Sequence, residues 1–282
     1  MTARARQLPY HYPEHLLADV QKAPAAPGVY LFLGEDERVP LYIGKSINLR
    51  SRLNAHLRNK SEARLLHQTQ RIVFHCTAGE ISALLLEARL IKQRQPLFNR
   101  RLRRQGSLSS IVVDDEGKVQ FVAAQHIHYG SDPHVYGLFP HQKKARDVVK
   151  ALADEYQLCL GIMGLDSLVR DRGCFRASIG KCRGACRGNE SLAEHRKRLL
   201  CALSSYHVAQ WPYNGPVALL EHYQELTAVH VLDHWRYMGS FDTLDDARQG
   251  PWLVDEHFDA DVYKITVGPL LAADADIVSL AR

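Results

Sequence analysis

The segment from residue 28 to residue 58 constrains the fold most. Gly28 to Leu33 is a short β-prone run, Gly34 to Pro40 is polar with turn residues at both ends, and Leu41 to Ile43 returns as a second strand. Read together they form a hairpin, with Pro27 just before the first ordered element. Ser46 or Asn48 then caps a helix running to about Arg58, and a second helix spans Glu62 to Gln70. Ile72, Phe74 and Cys76 belong to another β-prone run, which ends at a helix signal. In Thr77-Ala78-Gly79-Glu80 the Thr77 side chain is placed to accept from the Glu80 amide while the Glu80 carboxylate reaches back, as in a capping box. The helix so begun continues to Arg94, until Pro96 stops it. The order is ββααβα.

A basic stretch, Arg100 to Arg104 followed by Gly106-Ser107, reads as the exit from this first domain. The expected division is therefore an N-terminal extension over 1–26, a first domain over 27–106 and a C-terminal domain over 107–282. In the latter, Ser110 to Val113 and Lys118 to Ala123 suggest a hairpin, Gln142 to Glu155 an amphipathic helix, and Ser191 to Ser204 a further helix. Cys159 to Cys186 is loop-rich, the last 80 or so residues mix strands and helices, and no internal repeat is evident. The fold class is α/β in the α+β sense: a small sheet flanked by helices, then a mixed domain with a cysteine-rich segment.

Composition narrows the function. Nowhere do about 18 uninterrupted apolar residues occur, so neither a membrane span nor a secretory signal is expected. Six cysteines in 282 residues are too sparse for a disulfide scaffold, which points to a reducing, cytoplasmic setting. Residues 41–106 carry 14 Lys and Arg against 3 Asp and Glu, a difference of +11 within a chain whose net charge is only +5. Positive charge gathered on one stretch suits a polyanion-binding surface, with a solvated basic face as the plain alternative.

Two side-chain patterns carry chemistry. Asn48, Arg52 and His56 recur every four residues, so one helix face offers an amide, a guanidinium and an imidazole. Arg52 can grip phosphate oxygens in a bidentate contact and offset charge that grows in a phosphoryl transition state. The alternative is an exposed polar face. Glu87 falls beside an apolar stripe of Ile81, Leu84, Leu85 and Ala88, where a carboxylate is only partly solvated. A divalent metal compensates for that; so would a salt bridge to Arg94 or Lys45. A lone carboxylate fits one hydrated Mg²⁺ or Mn²⁺ better than a two-metal site.

Gly28-Val29-Tyr30 and, further on, Tyr42-Ile43-Gly44-Lys45 are each weak signals alone. Arg52, His56, Glu87 and Asn99 follow them in order, and together the set resembles the GIY-YIG nucleases. Within that family the chain is similar to the UvrC-like excision-repair nucleases, and most of all to their Cho branch, along Ala83-Leu84-Leu85-Leu86-Glu87-Ala88-Arg89-Leu90-Ile91-Lys92 and on into the C-terminal half. The resemblance implies Tyr42 as general base, Tyr30 as a group orienting water or phosphate, Glu87 as metal ligand, and Asn99 as a tie for the site loop or a substrate contact. A phenol with pKa near 10 is a poor base at neutral pH, and Lys45, three residues on, is the expected source of the field that favours phenolate. At position 56 UvrC proteins usually have tyrosine, whereas the His resembles Cho-like proteins and homing endonucleases. An imidazole is an ordinary proton acceptor at physiological pH, so His56 stands beside Tyr42 as a candidate base.

Cys159, Cys174, Cys182 and Cys186 give C-x14-C-x7-C-x3-C, similar to the four cysteines that follow the nuclease domain in UvrC-like proteins. There they are associated with a [4Fe-4S] cluster; four thiolates could equally hold zinc, or stay unligated. Arg172, Arg176, Lys181, Arg183 and Arg187 surround them and suggest a second DNA-contacting patch. The resemblance implies one incision on the 3′ side of a lesion, in damaged double-stranded DNA loaded with UvrB by UvrA, with contacts mainly to backbone phosphates and a steep dependence on salt. Two rivals remain: an inactive DNA-binding or redox-sensing iron–sulfur module, and a site-specific homing or restriction nuclease cutting undamaged DNA.

Overall fold

Strand β1 (Gly28–Leu33) is buried along its whole length in the computed structural model, which describes residues 9–99, 108–169, 172–253 and 258–281. It lies between β2 (Tyr42–Ser46) and β3 (Arg71–Cys76), antiparallel to both, and Tyr30 stands opposite Gly44 on one side and Phe74 on the other. Side chains alternate across a strand, so each half of β1 serves a different layer. Tyr30 and Phe32 pack with residues of α1 (Leu17–Lys22), α2 (Leu49–Arg58) and α3 (Ala63–Gln68). Val29, Leu31 and Leu33 pack with Ile43 and with Ala83 and Ile91 of α4 (Glu80–Arg94). Fully burying side chains of this size contributes about 1.5–3 kcal/mol each.

Asn48 caps α2, its side chain accepting from the Ser51 amide at 3.0 Å, and the helix ends at Arg58 as its sequence predicts. The second strand of the hairpin runs to Ser46, three residues beyond the expected Ile43, because pairing with β1 continues to Gly28 opposite Ser46. Helical turns at Glu14–Leu16 and Leu17–Lys22 precede Pro27, ahead of the strand expected to be the first ordered element. Leu16, Val20 and Ala23 are buried at a helical i, i+4, i+7 spacing, and the Asp19 carboxylate accepts from the Ile72 amide at 2.9 Å.

The capping box at Thr77 is not formed. Thr77 donates its hydroxyl proton to the Gly79 carbonyl at 2.9 Å, and Glu80 turns to Lys45. The α4 amides of Ile81 and Ser82 instead donate to the Glu221 carboxylate at 2.9 and 2.6 Å. A remote carboxylate thus supplies both the cap and a charge opposed to the helix dipole. Gly79 makes room for it, since a Cβ there would stand 2.2 Å from Glu221 Oε1.

Beyond α4 the elements are β4 (Ser109–Val113), β5 (Val119–Ala123), β6 (Val135–Phe139), α5 (Gln142–Glu155), α6 (Phe175–Ser178), α7 (Leu192–Leu203), β7 (Val217–Tyr223), β8 (Leu226–Asp233), β9 (Arg236–Phe241), α8 (Leu244–Gln249), α9 (Ala260–Leu271) and β10 (Ile277–Ser279). Strands β4 to β6 form an antiparallel sheet in the order β5-β4-β6. Its core includes Ile111, Val113 and Tyr136 with Ala145, Val149 and Ala153, the buried stripe of α5. Helix α7 begins in a true capping box between Ser191 and Glu194. Strands β7 to β10 form a second antiparallel sheet, ordered β10-β7-β8-β9.

Contacts divide the chain into two units, one within residues 1–105, 213–255 and 261–282, the other within 106–212 and 256–260. The sequence places boundaries after residue 26 and near 106; in the structure the chain also changes unit near 212, after which the last sheet packs in the same unit as α4, through Glu221 and His230. The basic run Arg100 to Arg104 and Gly106-Ser107 lie outside the described residues. Among the described residues, no helix is long and apolar enough to cross a membrane.

Candidate active site

Four rings gather where β1, β2 and α2 meet. Tyr30 has centroid separations of 5.8 Å from Phe32, 6.2 Å from Tyr42 and 5.3 Å from His56, and Tyr42 lies 5.8 Å from His56. Tyr30 and Tyr42 are on β strands facing one layer, and His56 comes from the last turn of α2. The second glycine of the paired motifs has a steric purpose here: a Cβ on Gly44 would sit 2.4 Å from the Tyr30 hydroxyl oxygen. Only a bare Cα lets the ring of Tyr30 lie across β2.

The Tyr30 hydroxyl is a junction. It is 2.7 Å from His56 Nε2 and accepts from Arg52 Nε at 3.3 Å. His56 is only 4% exposed, and its other ring nitrogen meets the Glu62 carboxylate. Arg52 and His56 therefore share one face, as their spacing predicts. Asn48 does not join them, because its side-chain oxygen is taken by the helix cap.

Glu87, on α4, is half-buried. Burial pushes its carboxyl upward, against the opposing pull of the Lys45 ammonium, the Lys45 backbone amide and Arg52. The alternative of a salt bridge with Lys45 is not realised, since the Lys45 ammonium is held by Glu80. Burial also raises both phenols; Glu87 raises Tyr42 further, and Arg52 draws it back. The cation that favours a Tyr42 phenolate most is thus Arg52, whereas Lys45 was expected to supply that field.

Asn99 lies at the free edge of β2. Its Oδ1 accepts from the Ile43 amide at 2.9 Å and its Nδ2 donates to the Ile43 carbonyl at 2.8 Å, so the side chain replaces a missing strand neighbour. Tyr30, Tyr42, Arg52, His56 and Glu87 are coupled by contact or charge. Lys45 borders Glu87 through its backbone, and Asn99 holds the strand that carries Tyr42 and Lys45.

Sequence reasoning missed two carboxylates, Glu62 on His56 and Glu80 on Lys45. A signal existed: Glu62, Glu80 and Glu87 are the three acidic residues of the basic stretch 41–106, and all three border this site. The arrangement can bind a phosphate through Arg52, hold a hard cation at Glu87, and accept a proton at a phenol or imidazole.

The second unit holds the cysteine group. The Sγ atoms of Cys159, Cys174, Cys182 and Cys186 all lie within 4.8 Å of one another, with Cys159 and Cys174 at 3.8 Å. None forms a disulfide, and amides of Cys174 and Gly184 donate to the sulfurs of Cys186 and Cys182 at 3.3 and 3.2 Å. Burial pushes the Cys159 and Cys182 thiols up. The Cys159 amide donates to His195 Nε2 at 2.9 Å; the ring proton is then at Nδ1, which is buried without a partner among the described residues. Of the surrounding cations, Arg176 binds Asp154 and the Ala153 carbonyl, and Arg187 binds the Arg172 carbonyl and Ser178. These two hold the loop together, while Arg172, Lys181 and Arg183 are exposed. Cys76 and Cys201 are exposed and lie outside the group.

Three family models match in succession: a UvrC-like GIY-YIG domain over residues 26–100, the middle domain of UvrC/Cho excinucleases over 109–205, and the C-terminal domain of excinuclease Cho over 216–282. The chain is 45% identical over 273 residues to excinuclease cho of Escherichia coli K12, covering 96% of this chain and 91% of the relative. It is 44% identical over 273 residues to excinuclease cho of Salmonella typhimurium, covering 96% and 92%. UvrABC system protein C of Haloarcula marismortui is 34% identical over 176 residues, 61% of this chain and 30% of that protein. Among solved structures, the GIY-YIG endonuclease domain of UvrC from Thermotoga maritima, bound to magnesium, matches with 32% identity and a TM-score of 0.29, covering 31% of this chain and 98% of that one.

Proposed function

We propose, on the premise that the chain belongs to the UvrC-like GIY-YIG excinucleases and to their Cho branch, that this DNA-repair endonuclease makes one incision on the 3′ side of a lesion, in duplex DNA that UvrA has loaded with UvrB. The observation that carries the reading is the coupling of Tyr30, Tyr42, Arg52, His56 and Glu87 at one place, with a single half-buried carboxylate among them. Arg52 binds the scissile phosphate and offsets its growing charge. Tyr42 accepts the proton of the attacking water, and Tyr30 fixes the orientation of the hydroxyls beside it. Asn99 keeps β2 in register, and Lys45 shields Glu80 while its amide supports Glu87.

Glu87 is the residue that would hold one Mg²⁺ or Mn²⁺; its burial without a directly paired ammonium suits a hard cation that keeps most of its waters. When bound, the ion supplies positive field for the phosphate and for a Tyr42 phenolate. Contacts made largely to phosphates leave the choice of the cut to the loaded complex rather than to base sequence. Incision of a lesion-bearing duplex, with and without UvrA, UvrB and Mg²⁺, tests this. Wild-type protein cuts only in the complete mixture, and Glu87→Ala binds but does not cut. Cutting of undamaged DNA without UvrA and UvrB would favour a site-specific nuclease, and no cutting under any condition a binding or redox module.

The four cysteines of the second unit are the residues that would hold a metal centre, which would brace this loop-rich segment. Family resemblance favours a [4Fe-4S] cluster. One observation favours zinc: the Cys159 and Cys174 sulfurs, 3.8 Å apart, match the edge of a tetrahedron with bonds of about 2.3 Å to a single ion, and all four lie within 4.8 Å, whereas a cube of iron and sulfide must stand between its thiolates and spread them. Metal analysis with absorption near ~400 nm on anaerobically prepared protein distinguishes the two.

A further inference from the structure

We propose that Glu62 is a positioning residue of the nuclease centre, fixing His56 with its proton on Nδ1 and its bare Nε2 toward Tyr30. This rests on the nuclease reading given above. Glu62 closes the 3₁₀ turn Lys60–Glu62 and occupies the N-cap position of α3, yet its side chain makes no capping bond there. The carboxylate turns to His56 Nδ1 instead. An ionised carboxylate only accepts hydrogen bonds, so the contact requires a proton on Nδ1. In the neutral ring Nε2 then has only a lone pair, and at 2.7 Å from the Tyr30 oxygen it must receive the Tyr30 proton.

The consequence passes along the hydroxyls. With its proton committed to His56, Tyr30 presents lone pairs, one of which already accepts from Arg52 at 3.3 Å. The Tyr42 phenol, whose ring lies 6.2 Å from that of Tyr30, can then pass its proton to the Tyr30 oxygen as the Tyr30 proton moves to His56 Nε2, which leaves Tyr42 a phenolate able to take the proton of the attacking water. The opposite ring tautomer would make Tyr30 accept from both Arg52 and His56 and drive its own proton toward Tyr42, closing that route. A residue outside the recognised motif thereby sets the direction of the hydrogen bonds that end on the base. Burial of His56 to 4% exposure keeps water from substituting for either partner.

The test uses the full chain with His labelled in nitrogen-15. In wild-type protein the neutral His56 ring shows its proton on Nδ1, and in Glu62→Gln, whose amide can donate to Nδ1, the Nε2-protonated form appears. Single-turnover incision of the UvrB-loaded duplex falls about 10²-fold in Glu62→Gln with DNA affinity unchanged, and Glu62→Asp recovers to within about tenfold of wild type. An Nε2-protonated ring in wild-type protein would overturn the proposal and needs no variant to fold. Wild-type incision by Glu62→Gln while Glu87→Ala is dead would overturn the role of Glu62 alone; wild-type incision by Glu87→Ala would overturn the underlying site.

Discussion

Replacing Glu221 with glutamine is expected to loosen the helix that carries Glu87. The carboxylate accepts from the Ile81 and Ser82 amides and from the Ser82 hydroxyl, and His230 Nε2 lies 2.8 Å from that hydroxyl. Burial alone would raise its pKa, but the hydrogen bonds from His230, Ser82 and Ile81 outweigh burial and hold it at about 2, against 4.5 for a free glutamate. At 1.36 kcal/mol per unit, this depression is worth about 3 kcal/mol to the folded state. Only 12% of the side chain is exposed, so solvent screening takes away little. Because the folded-state pKa is lowered, the contribution is complete above pH 4.5 and fades as pH falls toward 2. Urea unfolding followed through Trp235, which is fully buried in the same unit, gives the comparison. Glu221→Gln is expected to lose about 3 kcal/mol at neutral pH, with the gap to wild type narrowing between pH 4.5 and 3. A gap below about 0.5 kcal/mol at neutral pH, or one independent of pH, would refute the argument, since the first is the scale of an ordinary surface substitution.

Gly44→Ala puts a methyl group 2.4 Å from the Tyr30 hydroxyl oxygen, so thermal unfolding should show a loss of about 1–3 kcal/mol, and incision should fall further than stability explains. Asn99→Ala leaves the Ile43 amide and carbonyl unpaired at the edge of β2; a cost of about 1–3 kcal/mol in urea unfolding is expected, with faster amide exchange at Ile43. If the four thiols carry an ion, Cys159→Ser or a chelator should lower the melting temperature and abolish the bound-metal signal; an unchanged melting temperature would mean that they carry none.

What the sequence revealed follows the range of its patterns. The α2 cap at Asn48, the span of α5 and the paired motifs depend on neighbours a few residues apart, and each is legible from spacing alone. The Gly44 requirement belongs to the motif but acquires its reason only when β1 and β2 pair and bring Tyr30 across it. The true cap of α4 is supplied by Glu221, 140 residues from Ile81, so a local reading settled on the nearest candidate, Thr77. Glu62 and Glu80 were hidden for a related reason: a charge count registers three acids in a basic stretch but not that tertiary packing turns each toward one site. The helix before Pro27 had a readable stripe in Leu16, Val20 and Ala23, outweighed by the polar residues around it.

The central claim is that one divalent ion, held by Glu87, shares a phosphate with Arg52 and Tyr42. Anomalous diffraction from crystals of the chain with Mn²⁺ and a nicked or uncleavable duplex measures this directly. The account predicts a manganese peak with Glu87 as its protein carboxylate and a backbone phosphate between the ion, the Arg52 guanidinium and the Tyr42 hydroxyl. A manganese peak on other residues, with Glu87 turned away from the phosphate, would contradict it.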